Sequence, residues 1–268
     1  MAVAGGGGET GRQSVIGRGF LERHHLCAWS SSTSTWIVVR RVFKATHGTS
    51  IPAGHFVARR LVDRLLGVPF IRQYEPRDRE ALYEVCLRTG NDGGDATGLY
   101  QVPTILGEVY IGPYLRLHPE LAWVIDDNGS ASGYVLCAPD TTAFESRCEA
   151  QWWPALRERY PLGSFPRDSL DEEVVGIIHD PERAATEFLG QFPAHLHIDI
   201  TPEMQGQSWG TALISTLLDE LMVRGVPGVH LSVSTANARA IGFYEHLGFT
   251  VLSHDAANTM MGKHIAID

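Results

Sequence analysis

Lysine is almost missing from this 268-residue chain: Lys44 and Lys263 are the only two, beside 20 arginines. Arginine, 28 Gly and 14 Pro draw on GC-rich codons, so the composition reads as that of a high-GC bacterial genome, a statement about origin and not about mechanism. Cysteine is also scarce. Cys27, Cys86, Cys137 and Cys148 form no C-x-x-C pair, which excludes a zinc finger and a dense disulfide scaffold and reads as reduced thiols in a cytoplasm. No apolar run approaches the ~20 residues of a membrane-crossing helix, so no membrane partner is expected. There is no internal repeat. Nor is there a methionine between Met1 and Met204, so a later translation start would need a non-AUG codon.

What is present is unevenly spread. Residues 1–70 carry nine bases against three acids (Glu9, Glu22, Asp63), a net of +6, whereas the remainder carries 13 bases against 28 acids, a net of −15. A body that acidic repels nucleic acid and attracts a cationic small molecule or a basic protein segment. The first 69 residues open on Gly5–Gly8 and include the polar run Ser30–Ser34, composition that resists compact folding. They read as a disordered or misannotated extension. A transit peptide, or an amphipathic lipid-touching helix over Val57–Leu66, remains open beside that reading.

From Phe70 onward, to residue 268, the chain reads as one α/β domain. A strand is expected at Ile71–Tyr74, then a helix from Asp78 to Gly90, a Gly/Asp-rich loop, and a short helix near Val102–Val109. Two apolar runs flank Asp127-Asn128-Gly129, a strong hairpin signal. Residues 142–160 read as a helix interrupted at Pro154, and 170–189 as one or two short helices. The last third reads strand (His195–Thr201), helix (Ser208–Arg224), strand (Val229–Ser234), helix (Ala238–Leu247), then two strands. That order calls for a mixed sheet with helices on both faces.

Chemistry concentrates at three places. First, the segment after Ile200 runs through Gln205-Gly206-Gln207-Ser208-Trp209-Gly210-Thr211: a strand ends and a small-residue loop opens a long helix. Such a loop leaves backbone N–H groups free at the positive end of a helix dipole, an anion site, and Gly206 and Gly210 are expected to let a pyrophosphate approach the main chain. It is neither a P-loop nor G-x-G-x-x-G. Second, Asn237-Ala-Arg239-Ala-Ile-Gly-Phe243-Tyr244 follows the next strand. Third, alternation along 195–201 puts His195, His197, Asp199 and Thr201 on one face, a polar face that suggests an open cleft. Alternate strand residues alone do not make a metal site, and no metal is expected.

The joint pattern, Gln-x-x-small-x-Gly followed by Asn-x-x-Ala-x-x-Phe-Tyr and Gly248-Phe249, resembles the GNAT superfamily of N-acetyltransferases. With Ile71-Arg-Gln-Tyr-Glu-Pro, Asp92-Gly-Gly, Gly133-Tyr134-Val-Leu, Trp152-Trp153 and Leu196-His-Ile-Asp199-Ile, residues 70–254 look like the acetyltransferase-like C-terminal domain of protein O-GlcNAcases and its stand-alone bacterial relatives. The resemblance does not include a glycosidase domain. It implies a GNAT fold splayed at an acyl-CoA site, with acetyl-CoA as co-substrate.

The resemblance further implies site roles. Ile200 and residues 205–211 would hold the acyl-CoA, with Ser208 standing where the family usually has Gly. Asn237 would bind the pantetheine arm, Arg239 would meet a CoA phosphate, and Tyr244 would be the general acid. Asp199, then His197, is the expected proton acceptor or amine-orienting group. Asp92, Asp140 and Trp152 are expected around the acceptor, a small-molecule amine, because the segment between hairpin and strand 195 looks long enough to roof the cleft. Without a cysteine in the matched motifs, direct attack is expected over a covalent acyl-enzyme. The rival is a silent acetyl-CoA-binding or scaffold module.

Overall fold

A computed structural model describes residues 67–184 and 186–266. The basic extension up to residue 66, including the stretch 57–66, lies outside the described residues. The strands are β1 (Phe70–Gln73), β2 (Ala122–Asp127), β3 (Ser130–Ala138), β4 (Ala194–Ile200), β5 (Gly228–Ser234), β6 (Thr250–His254) and β7 (Asn258–His264). The helices are α1 (Arg79–Thr89), α2 (Ile105–Tyr110), α3 (Gly112–Leu117), α4 (Thr141–Gln151), α5 (Trp153–Arg159), α6 (Leu170–His179), α7 (Trp209–Val223) and α8 (Ala238–His246).

The strands form one sheet in the order β1-β2-β3-β4-β5-β7-β6. Every neighbouring pair is antiparallel except β4–β5, which is parallel. The β2–β3 hairpin closes through Asn128 and Gly129, both at positive φ (53° and 92°), the turn whose twist matches that of the strands it joins. A buried ion cluster ties the first elements together. Arg72 donates to both oxygens of Asp78, at 2.6 and 2.7 Å, and through Nε to Asp126 at 2.7 Å. Asp78 therefore precedes α1 without capping it through its side chain. Instead, Asp140 caps α4 (2.9 Å to Ala143 N), Ser169 caps α6 and Asn237 caps α8.

The core has two halves, one on each face of the sheet. On one face α7 lays down Leu213, Ile214, Leu217 and Leu221, all buried, against Val135, Cys137 and Leu196, with Tyr244 and Phe249 alongside. Each such side chain contributes roughly 1.5–3 kcal/mol by leaving water. On the other face α1 to α6 pack on Val124, Tyr134, Leu136 and Ala138. The segment between β3 and β4 was expected to roof a cleft. It packs instead as a layer: Phe144, Cys148, Trp153, Leu156, Val174, Val175 and Ile178 are buried in the same core as α1 and α2. Its interruption falls at Trp152, with Pro154 in the first turn of α5, and among the described residues nothing helical follows His179 before β4.

Candidate active site

The sheet opens between β4 and β5. Their pairing is confined to Ala194↔Val229 and His195↔His230, and beyond these the strands diverge. On the other side β4 stays paired with β3 through Gly133↔Ile200. Thr201 N donates to Ser132 O at 3.0 Å, which places the odd-numbered residues of β4 in the hydrogen-bonded pairs. By that alternation the main-chain groups of Ile198 and Ile200 point into the gap. The Ile200 carbonyl is taken there by Gln205 Nε2 at 2.9 Å. Ile198 N–H and C=O and Ile200 N–H remain as a short strand edge facing the opening.

At the mouth of this gap stands the loop into α7. Gln205 works as a strut: its side chain holds Ile200, and its amide reaches Pro202 O at 3.3 Å. Gln207 Nε2 ties back to Glu203 O at 2.9 Å. The first amide of the helix ladder is Ala212 N on Ser208 O, so the amides of residues 206–211 are left without a backbone acceptor among the described residues. Gly206, Gln207, Ser208 and Thr211 are exposed, and Trp209 is half-buried.

The two glycines act differently from expectation. Gly206 has φ +74°, with nothing within 4 Å of an added Cβ, so it is needed for its conformation. Gly210 is needed for packing: an added Cβ would lie 2.9 Å from Phe243 Cζ on α8 and 3.6 Å from Ile200. Close approach of the two helices is by itself enough to require glycine there. Ser208 sits at φ +66°, the left-handed region that favours glycine.

Across the gap, α8 carries Asn237, Arg239 and Tyr244. Asn237 spends its Oδ1 on Ala240 N at 3.0 Å, while its Nδ2 lies against Gly93 of the loop between α1 and α2. Arg239 is exposed on the first turn. Tyr244 is 9% exposed, its ring tilted on Phe243 and edge-on to Phe249. Burial, reinforced by the Asp199 carboxylate, pushes its phenol well above the ordinary value, so it stays protonated at any working pH.

The polar face of β4 is divided. His195 is enclosed by Tyr114, Phe144 and His230, with Nδ1 2.8 Å from Thr141 Oγ1, and Thr201 is buried. His197 and Asp199 stay partly open, with 30% and 25% of their side chains exposed. Tyr134 Oη donates to Asp199 Oδ2 at 2.5 Å, and His197 Nε2 lies 3.0 Å from the same oxygen and 3.1 Å from Tyr134 Oη. Tyr110 of α2 and Tyr134 both stack near-parallel to the His197 ring, at centroid distances of 6.2 and 5.7 Å. A carboxylate and an imidazole thus meet beside a gap whose other wall holds a protonated phenol.

The acetyltransferase (GNAT) family model matches residues 95–249. The chain belongs to this family. Rat protein O-GlcNAcase is 28% identical to it over 180 residues, 66% of this chain and 20% of that protein, so the chain spans about a fifth of the length of these curated relatives. The [ribosomal protein bS18]-alanine N-acetyltransferase of Escherichia coli strain K12 is 47% identical over 53 residues, 20% of this chain and 36% of that enzyme. Among solved structures, SsHAT is 43% identical and superposes with a TM-score of 0.70, covering 74% of this chain and 98% of SsHAT.

Within this GNAT domain the expected acceptor residues do not converge. Asp140 caps α4 beyond the Ala138↔His195 pair, at the end of β4 away from the 205–211 loop. Trp152 is a packing residue: its Nε1 donates to Glu108 O at 2.9 Å, and its ring presses on Gly112, where an added Cβ would come within 2.2 Å. Asp92, at φ +50°, shapes a tight turn with Gly93, closed by the Asn91–Gly94 hydrogen bonds, which sets Gly93 against Asn237. Of these, only the 92–93 turn reaches the gap. Tyr134 and Tyr110 were missed as site residues, since one reads as a strand aromatic and the other as a helix-end aromatic. Alternation along β4 alone could not have found Tyr134, because only the β3–β4 register puts it opposite Asp199.

Proposed function

We propose that the chain is an acetyl-CoA-dependent N-acetyltransferase that moves the acetyl group onto an amine, with a small-molecule acceptor, by direct attack. The observation that carries this is the opening of β4 from β5, with a free strand edge at Ile198–Ile200, free amides at 206–211, and His197 with Asp199 at the same gap. The amides and the dipole of the 15-residue α7 would hold the diphosphate, and Arg239 would meet a further phosphate. The pantetheine would add along β4 as an extra strand, and Ile198 N–H is a donor for the thioester carbonyl as charge builds on its oxygen. Asn237 and the 92–93 turn would close over the arm.

The amine nitrogen attacks the thioester carbonyl; the C–N bond forms, the C–S bond breaks, and the nitrogen loses a proton to the His197–Asp199 pair. The departing thiolate, whose conjugate acid titrates near 8.5 by analogy with cysteine, takes its proton from Tyr244. The body's charge of −15 favours an acceptor that arrives as an ammonium ion and sheds one proton to solvent before its nitrogen attacks. Cys86, Cys137 and Cys148 are buried free thiols, in keeping with a reducing cytoplasm.

Enclosure of Tyr244 favours a second reading, a domain that binds acetyl-CoA without turnover, because a buried phenol gives up its proton reluctantly. Thiol release from acetyl-CoA over a panel of amines separates the two. Turnover with Tyr244→Phe slowed about tenfold or more supports transfer and the acid role. Binding without turnover on every amine supports the silent module, and turnover indifferent to Tyr244→Phe removes Tyr244 from the chemistry.

A further inference from the structure

We propose that Tyr134 makes Asp199 an orienting anion and leaves His197 Nδ1 as the atom that takes the amine proton. Tyr134 has one hydroxyl proton, and the 2.5 Å contact assigns it to Asp199 Oδ2. His197 Nε2 faces that oxygen at 3.0 Å and the Tyr134 oxygen at 3.1 Å, both of which then offer it only lone pairs. A bare Nε2 would be repelled by both, so Nε2 carries hydrogen. In the neutral ring the lone pair is therefore on Nδ1, which has no hydrogen-bond partner among the described residues. Asp199 Oδ2 already accepts two hydrogen bonds, which disfavours its taking the proton itself.

His197 is held from several sides. Tyr110 of α2 and Tyr134 of β3 stack on it, His195 and Asp199 flank it on β4, Cys86 of α1 lies beside the Tyr134 hydroxyl, and Tyr244 of α8 feels the Asp199 charge. Tyr134 is wholly buried and touches no reacting atom, so it is a positioning residue. In the step that follows, Nδ1 takes the proton from the attacking nitrogen, the imidazolium is held by Asp199, and the proton leaves to solvent after the amide has formed. Tyr244 is reprotonated from solvent, so amine plus thioester gives amide plus thiol.

The inference deepens the acetyl-transfer reading and rests on it for its kinetic consequences alone; the tautomer can be read without any acceptor. In the full chain with labelled histidine, nitrogen NMR above the imidazole titration should give Nε2 protonated and Nδ1 bare for His197, and Asp199→Asn should mix the two tautomers. Protonation on Nδ1 in the unaltered protein overturns the proposal. With an amine that turns over, His197→Gln should cost about 10²–10³ in kcat/KM, Asp199→Asn about 10², and Tyr134→Phe about tenfold, with the KM for acetyl-CoA unchanged. Tyr134→Phe should also shift the His197 Nε2 resonance, because both oxygens that this nitrogen faces are changed; a role in packing alone would leave it in place. Asp199→Asn more damaging than His197→Gln overturns the proposal. Should no amine turn over, the acetyl-transfer reading fails while the nitrogen spectrum still decides the tautomer.

Discussion

The two walls of the gap are built on different principles. The wall from Ile200 through α7 and α8 works mostly through main chain: amides 206–211, the Ile198–Ile200 edge, and two helices held close by Gly210 against Phe243. The opposite wall works through side chains brought from β3, β4 and α2, namely Tyr134, Asp199, His197 and Tyr110. A main-chain site needs small residues at set positions over a short stretch. A side-chain site needs long-range pairing first. The comparison therefore predicts that damage to one wall should leave the other's ligand largely undisturbed.

The strongest way to break the first wall is Gly210→Val. The new Cβ would meet Phe243 at 2.9 Å before its methyl groups are counted, so α7 and α8 must part. Overpacking of this kind costs about 1–3 kcal/mol. Acetyl-CoA affinity, read by calorimetry, should fall more than tenfold along with the melting temperature. Retained affinity would place the acyl-CoA elsewhere.

The hinge of the two walls is the His195↔His230 pair, and it sets a pH response. Burial pushes His195 from the ordinary 6.5 down to about 3, and the neighbouring His230 adds to this. Below pH 6.5 the unfolded chain takes a proton that the folded chain refuses. Stability is thus complete above 6.5 and declines as pH falls toward 3. Melting curves across that window should show the decline, and His195→Gln should flatten it. On the second wall, Tyr110→Ala uncovers one side of His197. It should raise the KM for the amine about tenfold while that for acetyl-CoA stays put; movement of both would mean that the walls are coupled.

This contrast also explains what could be read from sequence. The hairpin at Asn128-Gly129, the apolar stripe of α7 and the 205–211 and 237–249 patterns are local, set by turn chemistry, helical period and helix caps, and the parallel β4–β5 pair follows from their order. Asp199 and His197 were reachable by alternation along one strand. Tyr134 as their partner was not, because it required the β3–β4 register. Asp140 and Trp152 failed for a related reason. An aspartate before a helix is as good a cap as a ligand, and a tryptophan at a helix break is as good a wedge as a pocket wall; only their partners, Ala143 N and Gly112, decide. Gly210 was read as room for a pyrophosphate, and its packing against Phe243 was not legible because it depends on how α7 and α8 meet.

The smallest effect should come from Ser208→Gly, and it tests the main-chain wall by improving it. Ser208 holds φ +66° at the start of α7 with no capping bond from its hydroxyl, so the side chain returns nothing for the strained backbone. Left-handed backbone costs a non-glycine residue roughly 1–2 kcal/mol. Glycine removes that cost but is freer in the unfolded chain, which offsets it by part of the ~1 kcal/mol at stake. The net should be a gain of about 0.5–1 kcal/mol, a rise of roughly 1–4 °C in melting temperature for a domain of this size. If the amides at 206–211 grip the diphosphate, removing a Cβ from their midst should also tighten acetyl-CoA a few-fold, with kcat for the amine unchanged. A more stable protein that binds acetyl-CoA no better would mean that the diphosphate does not pass over Ser208. One that binds it worse would mean that the serine hydroxyl, and not the bare main chain, supplies part of the grip.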